Sequence, residues 1–176
     1  MDRSPARSGA RAKSFAYLTD RGNPGEMLVY RELDERARPL GLSVHAMDGV
    51  TRSSVEQAFA AIERNRIDAL VVATTSSVLG QREQIVDSAA RLRLPAIYAR
   101  QDYPEVGGLL SYGTDTETLF LRAADYVDRI LRGAPPSELP FEMASTFTLV
   151  VNLSTARALG LKIPQSILVR ADQVIE

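Results

Sequence analysis

The sequence predicts an α/β protein, with a parallel sheet that carries helices on both of its faces. Two buried runs support this prediction, DALVVA at 68–73 and PAIYA at 95–99. Continuous apolar runs of this length are typical of strands that are covered on both sides. Helical patterns lie before, between and after these runs, so strands and helices alternate from residue 14 to residue 107. Such alternation favours parallel strands joined by crossover helices.

The first strand is predicted at 14–18 and is followed by a loop rich in turn-forming residues. The next predicted elements are a helix at 27–38, a strand at 42–47, a helix that Ser53 or Ser54 caps and that ends near Arg66, and one long helix at 78–92. These elements and the two buried runs make up a predicted α/β domain at 14–107.

The pattern changes beyond Gly108, and the prediction assigns residues 108–176 to a separate segment. Its predicted elements are a strand at 109–112, a long helix at 115–132, an irregular segment at 133–146, a strand at 147–152 and short helices at 155–159 and after Pro164.

Residues 1–13 are small, polar and basic, and they lack the apolar centre of a secretory signal. We expect a disordered tail there. A basic arm that binds nucleic acid is the alternative, but four basic residues without an aromatic residue favour the tail. The net charge of −1 likewise predicts no nucleic-acid partner. No apolar run is long enough to cross a membrane.

Ligands of open parallel sheets bind beyond the carboxyl ends of the strands. Thr74, Thr75 and Ser76 follow one buried run and precede a predicted helix, whose free N–H groups would favour an anion such as a carboxylate. The alternative is that one of these hydroxyls only caps the helix. We therefore hypothesise that this loop contacts a ligand, and leave simple capping open.

Four other residues are candidate ligand contacts for the same reason. Asn23 follows the first strand, where it either contacts a ligand or forms a turn. Gln101 and Asp102 follow the strand at 95–99. Tyr112 could stack on a flat solute, or it could belong to the core or a hinge.

Catalytic and metal sites find little support in the composition. The chain has no Cys and a single His, His45, which lies in a predicted strand and is interpreted as structural. A common zinc site therefore cannot be assembled, and no cofactor is expected. Neither a nucleophile elbow nor a phosphate-binding glycine motif is present.

Three segments carry a family resemblance, namely GGLLSYG at 107–113, FTLVVNL at 147–153 and TARALGL at 155–161. In this combination the chain resembles the solute-binding proteins of ABC importers, of the tryptophan/tyrosine type. The resemblance implies a type I periplasmic-binding fold, in which two α/β lobes clamp a solute between them. It also implies an ABC permease as partner and a periplasmic or extracytoplasmic location, although no export signal is seen here.

Within that resemblance, residues 14–107 correspond to the second lobe and 108–146 to a return into the first. Residues from 147 onward correspond to the final crossing, and most of the first lobe has no counterpart. We therefore expect a truncated protein whose helix at 115–132 exposes apolar side chains and drives self-association.

The predicted function is the solute-binding component of an ABC-type importer, which binds an amino acid or a similar small carboxylate in an interlobe cleft. The alternative is a cytosolic ligand-sensing or interaction domain derived from such a lobe and no longer used in transport. An enzyme built on a flavodoxin-like lobe is a third, less favoured hypothesis.

Overall fold

The structure is a computed structural model, and it describes residues 12–176. The predicted tail at 1–13 lies almost wholly outside these described residues. Seven strands form one sheet in the order β2-β1-β3-β4-β5-β6-β7. Their bounds are β1 Ser14–Thr19, β2 Ser43–Asp48, β3 Ala69–Val72, β4 Ala96–Tyr98, β5 Leu110–Thr114, β6 Phe147–Asn152 and β7 Gln173–Ile175.

Eight α-helices connect these strands within the described part of the chain. Their bounds are α1 Pro24–Ala37, α2 Arg52–Asn65, α3 Ser76–Leu79, α4 Arg82–Leu92, α5 Asp102–Glu105, α6 Thr116–Leu131, α7 Leu153–Leu159 and α8 Gln165–Leu168. Two short 3-10 turns, Arg38–Leu40 and Pro136–Glu138, follow α1 and α6.

Strands β1 to β5 are mutually parallel, and helices cover both faces of their sheet, as the sequence predicts. On one face, α2 and α4 pack on alternate strand residues such as Leu18 and Leu70. On the other face, α1 packs around Tyr17 and its neighbours. Because side chains alternate along a strand, adjacent residues such as Tyr17 and Leu18 enter opposite layers of the core.

Several element boundaries differ from the predicted ones because capping side chains decide where helices start. Helix α1 begins at Pro24 rather than residue 27, since the Asn23 side chain accepts a hydrogen bond from the Gly25 N–H. Helix α2 is capped by Thr51 and not by Ser53 or Ser54. Ser54 instead completes a reciprocal capping box with Thr51, because its hydroxyl accepts from the Thr51 N–H.

The predicted helix at 78–92 was wrong as a single element. The chain forms the short α3 and then, after Gly80 and the non-helical Gln81, the separate α4. Two elements were not predicted at all. The loop after β4 contains α5, and the last residues form β7, which pairs with β6 and gains its hydrogen bonds only from that long-range partner.

The later strands change direction. Strand β6 runs antiparallel to β5, and Thr114 at the end of β5 pairs with Phe147 at the start of β6. The chain therefore leaves the sheet and returns to it at the same edge, with α6 in between. No residue of α6 is buried. Strands β5 to β7 continue the same sheet, and the division of the chain at residue 107 stays a prediction.

Candidate functional site

The carboxyl ends of the five parallel strands meet at one edge of the sheet, hereafter the carboxyl edge. The loops after β1, β3 and β4 lie there, together with the end of β5 and the start of β6. Ser77 and Asp20 connect two of these loops, because the Ser77 hydroxyl lies 3.4 Å from a carboxylate oxygen of Asp20. Most of the predicted ligand contacts lie at this edge, because they belong to the loops after β1, β3 and β4.

The hydroxyl loop at 74–77 differs in one respect from its predicted form. Thr75 is the N-cap residue of α3, yet its side chain makes no capping hydrogen bond, and Thr74 and Ser76 are exposed. The hydroxyls are thus not consumed by helix capping. However, α3 has only four residues, so the dipole of a long helix does not point at this loop. Any anion there would rely on the hydroxyls themselves.

Asn23 has a structural role at this edge. Its side-chain oxygen caps α1 through the Gly25 N–H at 2.9 Å, and Pro24 occupies the first helical position. One turn further on, Glu26 accepts hydrogen bonds from the buried Thr19 hydroxyl at 2.6 Å and from the Tyr17 hydroxyl at 2.7 Å. These contacts fix the start of α1 against β1, and ligand contact by Asn23 stays a prediction.

A small polar cavity of about 50 Å³ opens at the carboxyl edge between the loop after β4 and the ends of β5 and β6. Its lining consists of Ala99, Arg100, Gln101, Asp102, Gly113, Thr114, Thr116 and Thr148. Two predicted ligand contacts, Gln101 and Asp102, therefore face a common space. We refer to it as the edge cavity.

Arg100 and Asp102 form an ion pair in the edge cavity. The Arg100 Nε donates to a carboxylate oxygen of Asp102 at 2.8 Å, and both side chains are partly buried. Burial works to raise the pKa of the Asp102 carboxyl, but the hydrogen bond and charge of Arg100 lower it below its ordinary value. The Asp102 carboxyl is therefore ionised at neutral pH.

The loop that carries this pair is anchored by two buried tyrosines. The rings of Tyr98 in β4 and Tyr103 in α5 stack with their centroids 4.5 Å apart. Gly108 makes room for this stack, because a Cβ there would lie 2.8 Å from both the Tyr103 backbone and the Tyr98 ring. Burial raises the pKa of Tyr103 to about 12. The hydroxyl finds no hydrogen-bond partner within residues 12–176.

Tyr112 lies apart from the edge cavity. Its ring stacks on Phe147, with centroids 5.6 Å apart, and it is 51% exposed. Its neighbour Ser111 is buried on the opposite face of β5. The structure thus brings Gln101 and Asp102 together but not Tyr112, whose role as a stacking platform stays a prediction.

A larger cavity of about 350 Å³ lies between α4 and α7, away from the carboxyl edge. Its walls are mainly small apolar side chains. Two of its polar side chains bind backbone carbonyls, since Arg93 donates to the Ala158 carbonyl and Thr155 to the Gly107 carbonyl. We interpret it as a packing gap between two helices, because its lining is mostly apolar and it lies away from the carboxyl ends of the strands, where ligands of open parallel sheets bind.

Residues 12–176 bring together no group of three or more His, Asp or Glu side chains that could hold a metal ion. His45 lies exposed on β2, a strand at the border of the sheet. Within the same residues, no helix has the length and apolar character needed to span a membrane.

The model of the protein family described as "ABC transporter substrate binding protein" matches residues 19–175 of this chain. The chain belongs to this family. The matched range includes the loops of the carboxyl edge and all residues that line the edge cavity. A search of the curated proteins finds no match.

Solved structures of similar proteins agree with membership in the substrate-binding family. A conserved domain protein from Vibrio cholerae has a TM-score of 0.82 and 26% identity over 93% of this chain and 55% of its own length. An ABC domain from Streptococcus pneumonia, solved in complex with L-Trp, has a TM-score of 0.81 and 25% identity over 93% of this chain and 57% of its own.

A third solved structure, that of the substrate-binding protein CD0873 from Clostridium difficile, shares the fold with a TM-score of 0.68 and 23% identity over 94% of this chain. The chain thus spans just over half the length of these relatives, 55% to 57%. The α/β architecture is that of the periplasmic-binding-like proteins.

Four residues that line the edge cavity of this substrate-binding family member were not predicted as ligand contacts, namely Arg100, Thr114, Thr116 and Thr148. Arg100 directly precedes two predicted contacts and follows a buried strand, so its position was a usable signal. Thr148 had no such signal, because only the antiparallel pairing of β6 with β5 places it opposite Gly113.

Proposed function

We propose that this chain is the solute-binding component of an ABC-type importer and that it holds a small carboxylate, such as an amino acid, at the carboxyl edge. The observation that carries the proposal is the family match over residues 19–175, which spans every loop of that edge. The proposed activity is binding without catalysis. The exposed Thr74 and Ser76, the half-buried Thr75 and the polar edge cavity supply hydrogen-bonding groups of the kind that orient a small solute.

An aromatic amino acid is the ligand that we favour. The relative from Streptococcus pneumonia is described in complex with L-Trp, and it is 25% identical to this chain. An exposed ring such as Tyr112 beside Phe147 offers a surface on which a flat side chain could stack. Contact by Asn23, Thr74, Thr75, Ser76, Gln101, Asp102 and Tyr112 is part of this proposal.

We further propose that residues 14–107 act as one wall of an interlobe cleft. Family members of this kind close two lobes around the solute, and such hinge closure transmits the bound state to a partner. In this scheme residues 108–146 belong to the opposite wall, an ABC permease is the partner, and the site of action is extracytoplasmic. The single exit and return of the chain between β5 and β6 supports the division.

Self-association through α6 is the last part of the proposal. The helix exposes several large apolar side chains, with Phe120 73%, Val127 55% and Leu131 81% exposed. Their spacing of seven and four residues places them on one side of the helix. Burying each large apolar side chain would stabilise a dimer by about 1.5–3 kcal/mol, and we propose that a second copy of the chain covers this surface.

Direct titration tests the binding proposal. Because the chain contains no Trp, the fluorescence of added L-Trp reports binding without a background from protein tryptophan. We expect its anisotropy to rise with protein concentration, and calorimetry with a panel of L-amino acids to rank aromatic ones first. If the chain binds none of these amino acids by either method, the proposed function is wrong.

A further inference from the structure

Arg100 has hydrogen-bonding capacity that the fold does not use. A guanidinium group carries five N–H donors, and the Nε donor of Arg100 is taken by Asp102 at 2.8 Å. Within residues 12–176, neither terminal nitrogen of this guanidinium has a hydrogen-bond partner. The side chain is only 30% exposed, so its charge is partly withdrawn from water at the mouth of a polar space.

The surroundings of Arg100 suit a small anion. Three threonines, Thr114, Thr116 and Thr148, line the edge cavity, and each hydroxyl can donate a hydrogen bond. Among the described residues that line the cavity, Asp102 is the only acidic one, and it is already paired with Arg100. A volume of about 50 Å³ holds one or two waters or a carboxylate group, but not a whole amino-acid side chain.

We infer that Arg100 binds the carboxylate of the solute in the edge cavity and that Asp102 acts as a positioning residue for Arg100. This inference rests on the proposed function and specifies how its ligand is held. Arginine suits the task because its planar fork matches the two oxygens of a carboxylate. Asp102 fixes the plane of that fork through Nε and leaves the terminal nitrogens for the ligand. The rest of the solute would extend out of the cavity along the carboxyl edge.

The test compares an acid with its uncharged amide. L-Trp and L-tryptophanamide differ only in the group that Arg100 is inferred to hold. We expect the wild-type chain to bind L-Trp more tightly. Arg100→Gln should weaken L-Trp binding tenfold or more and leave binding of the amide nearly unchanged. Arg100→Lys keeps the charge without the fork, and an intermediate loss is expected.

Two further variants sharpen the result. Asp102→Asn should lower the ratio of acid to amide affinity, but by a smaller factor than Arg100→Gln does. If Asp102 only stabilised the loop, its substitution would weaken binding of both probes equally and leave the ratio unchanged. Arg64→Gln is the matched control, because Arg64 lies exposed in the last turn of α2, at the opposite edge of the sheet. Its affinity for both probes should equal that of the wild type.

The outcomes separate the inference from the proposed function. Should Arg100→Gln and Arg100→Lys both keep the wild-type ratio of acid to amide affinity, Arg100 does not bind the carboxylate, although the binding function stands. Should the wild-type chain bind neither probe nor any other amino acid, both the function and the inference are overturned. Circular dichroism of each variant checks that its fold is intact. If Arg100→Gln does not fold, the acid-to-amide ratio of Arg100→Lys is the test of the inference.

Discussion

Gly113 and the carbonyl oxygen of Ala99 are in such close contact that a Cβ built on Gly113 would lie 1.9 Å from that oxygen. The contact brings β5 against the loop that follows β4, where both line the edge cavity. Both groups belong to the backbone, so neither can turn away as a flexible side chain would. The shape of the cavity therefore depends on the missing side chain of Gly113.

Gly113→Ala should destabilise the protein by about 1–3 kcal/mol, because the new methyl group forces two backbone segments apart. Urea denaturation measures the free energy of unfolding. Gly80→Ala is the matched control, since a Cβ there would make only an ordinary contact at 3.5 Å, and it should change stability by less than about 1 kcal/mol. Equal stability of the two variants would contradict this account.

Tyr103→Phe should leave stability at neutral pH unchanged or raise it by up to about 1 kcal/mol. The reason is that the buried hydroxyl lost its water on folding without gaining a hydrogen bond from the described protein. Thermal and urea unfolding of both proteins measure the difference. A loss of more than about 1 kcal/mol would mean that the hydroxyl has a stabilising partner after all.

The same phenol makes stability depend on alkaline pH. The pKa of Tyr103 is raised from 10.0 to about 12, so the folded state keeps a proton that the unfolded state releases first. Its contribution is complete below pH 10 and is lost as the pH rises towards 12. Unfolding measured along that range should show a shallower fall for Tyr103→Phe than for the wild type. Identical dependence of stability on pH in the two proteins would show that the Tyr103 phenol is exposed to water in the folded state.

The double variant Thr75→Ala and Ser76→Ala should weaken binding of L-Trp by roughly tenfold, the effect of losing one or two neutral hydrogen bonds. Isothermal titration gives the affinity. Ser166→Ala, which removes an exposed hydroxyl from α8, is the control and should bind as the wild type does. Unchanged affinity in the double variant would remove this loop from the site.

Replacing Phe120 and Leu131 by Glu should shift the chain towards monomer, because two of the most exposed apolar side chains of α6 become charged. Light scattering across a dilution series measures the association. Arg129→Glu changes the charge of the opposite side of the helix and should leave association intact. A wild-type chain that stays monodisperse and monomeric at every concentration would rule out self-association through α6.

The elements that could be predicted are those whose signals are local. The buried runs at β3 and β4 are apolar over their whole length, and this property alone identifies strands inside a parallel sheet. Helix ends were less predictable, because Ser54 and Thr51 are both good caps and only their mutual hydrogen bonds reveal which one is used.

For the candidate site, the sequence by itself determined the fold class, the family and the order of the loops that reach the carboxyl edge. The fold class and the loop order follow from strand periodicity and topology rules, which need only neighbouring residues. The family follows instead from the resemblance of the segments at 107–113, 147–153 and 155–161. Tertiary structure decided which of those loops share a space. Thr148 pairs with Gly113 across 35 residues of sequence, and this antiparallel pairing places Thr148 in the lining of the edge cavity together with Arg100. Such contacts depend on distances between segments, which no local pattern in the chain encodes.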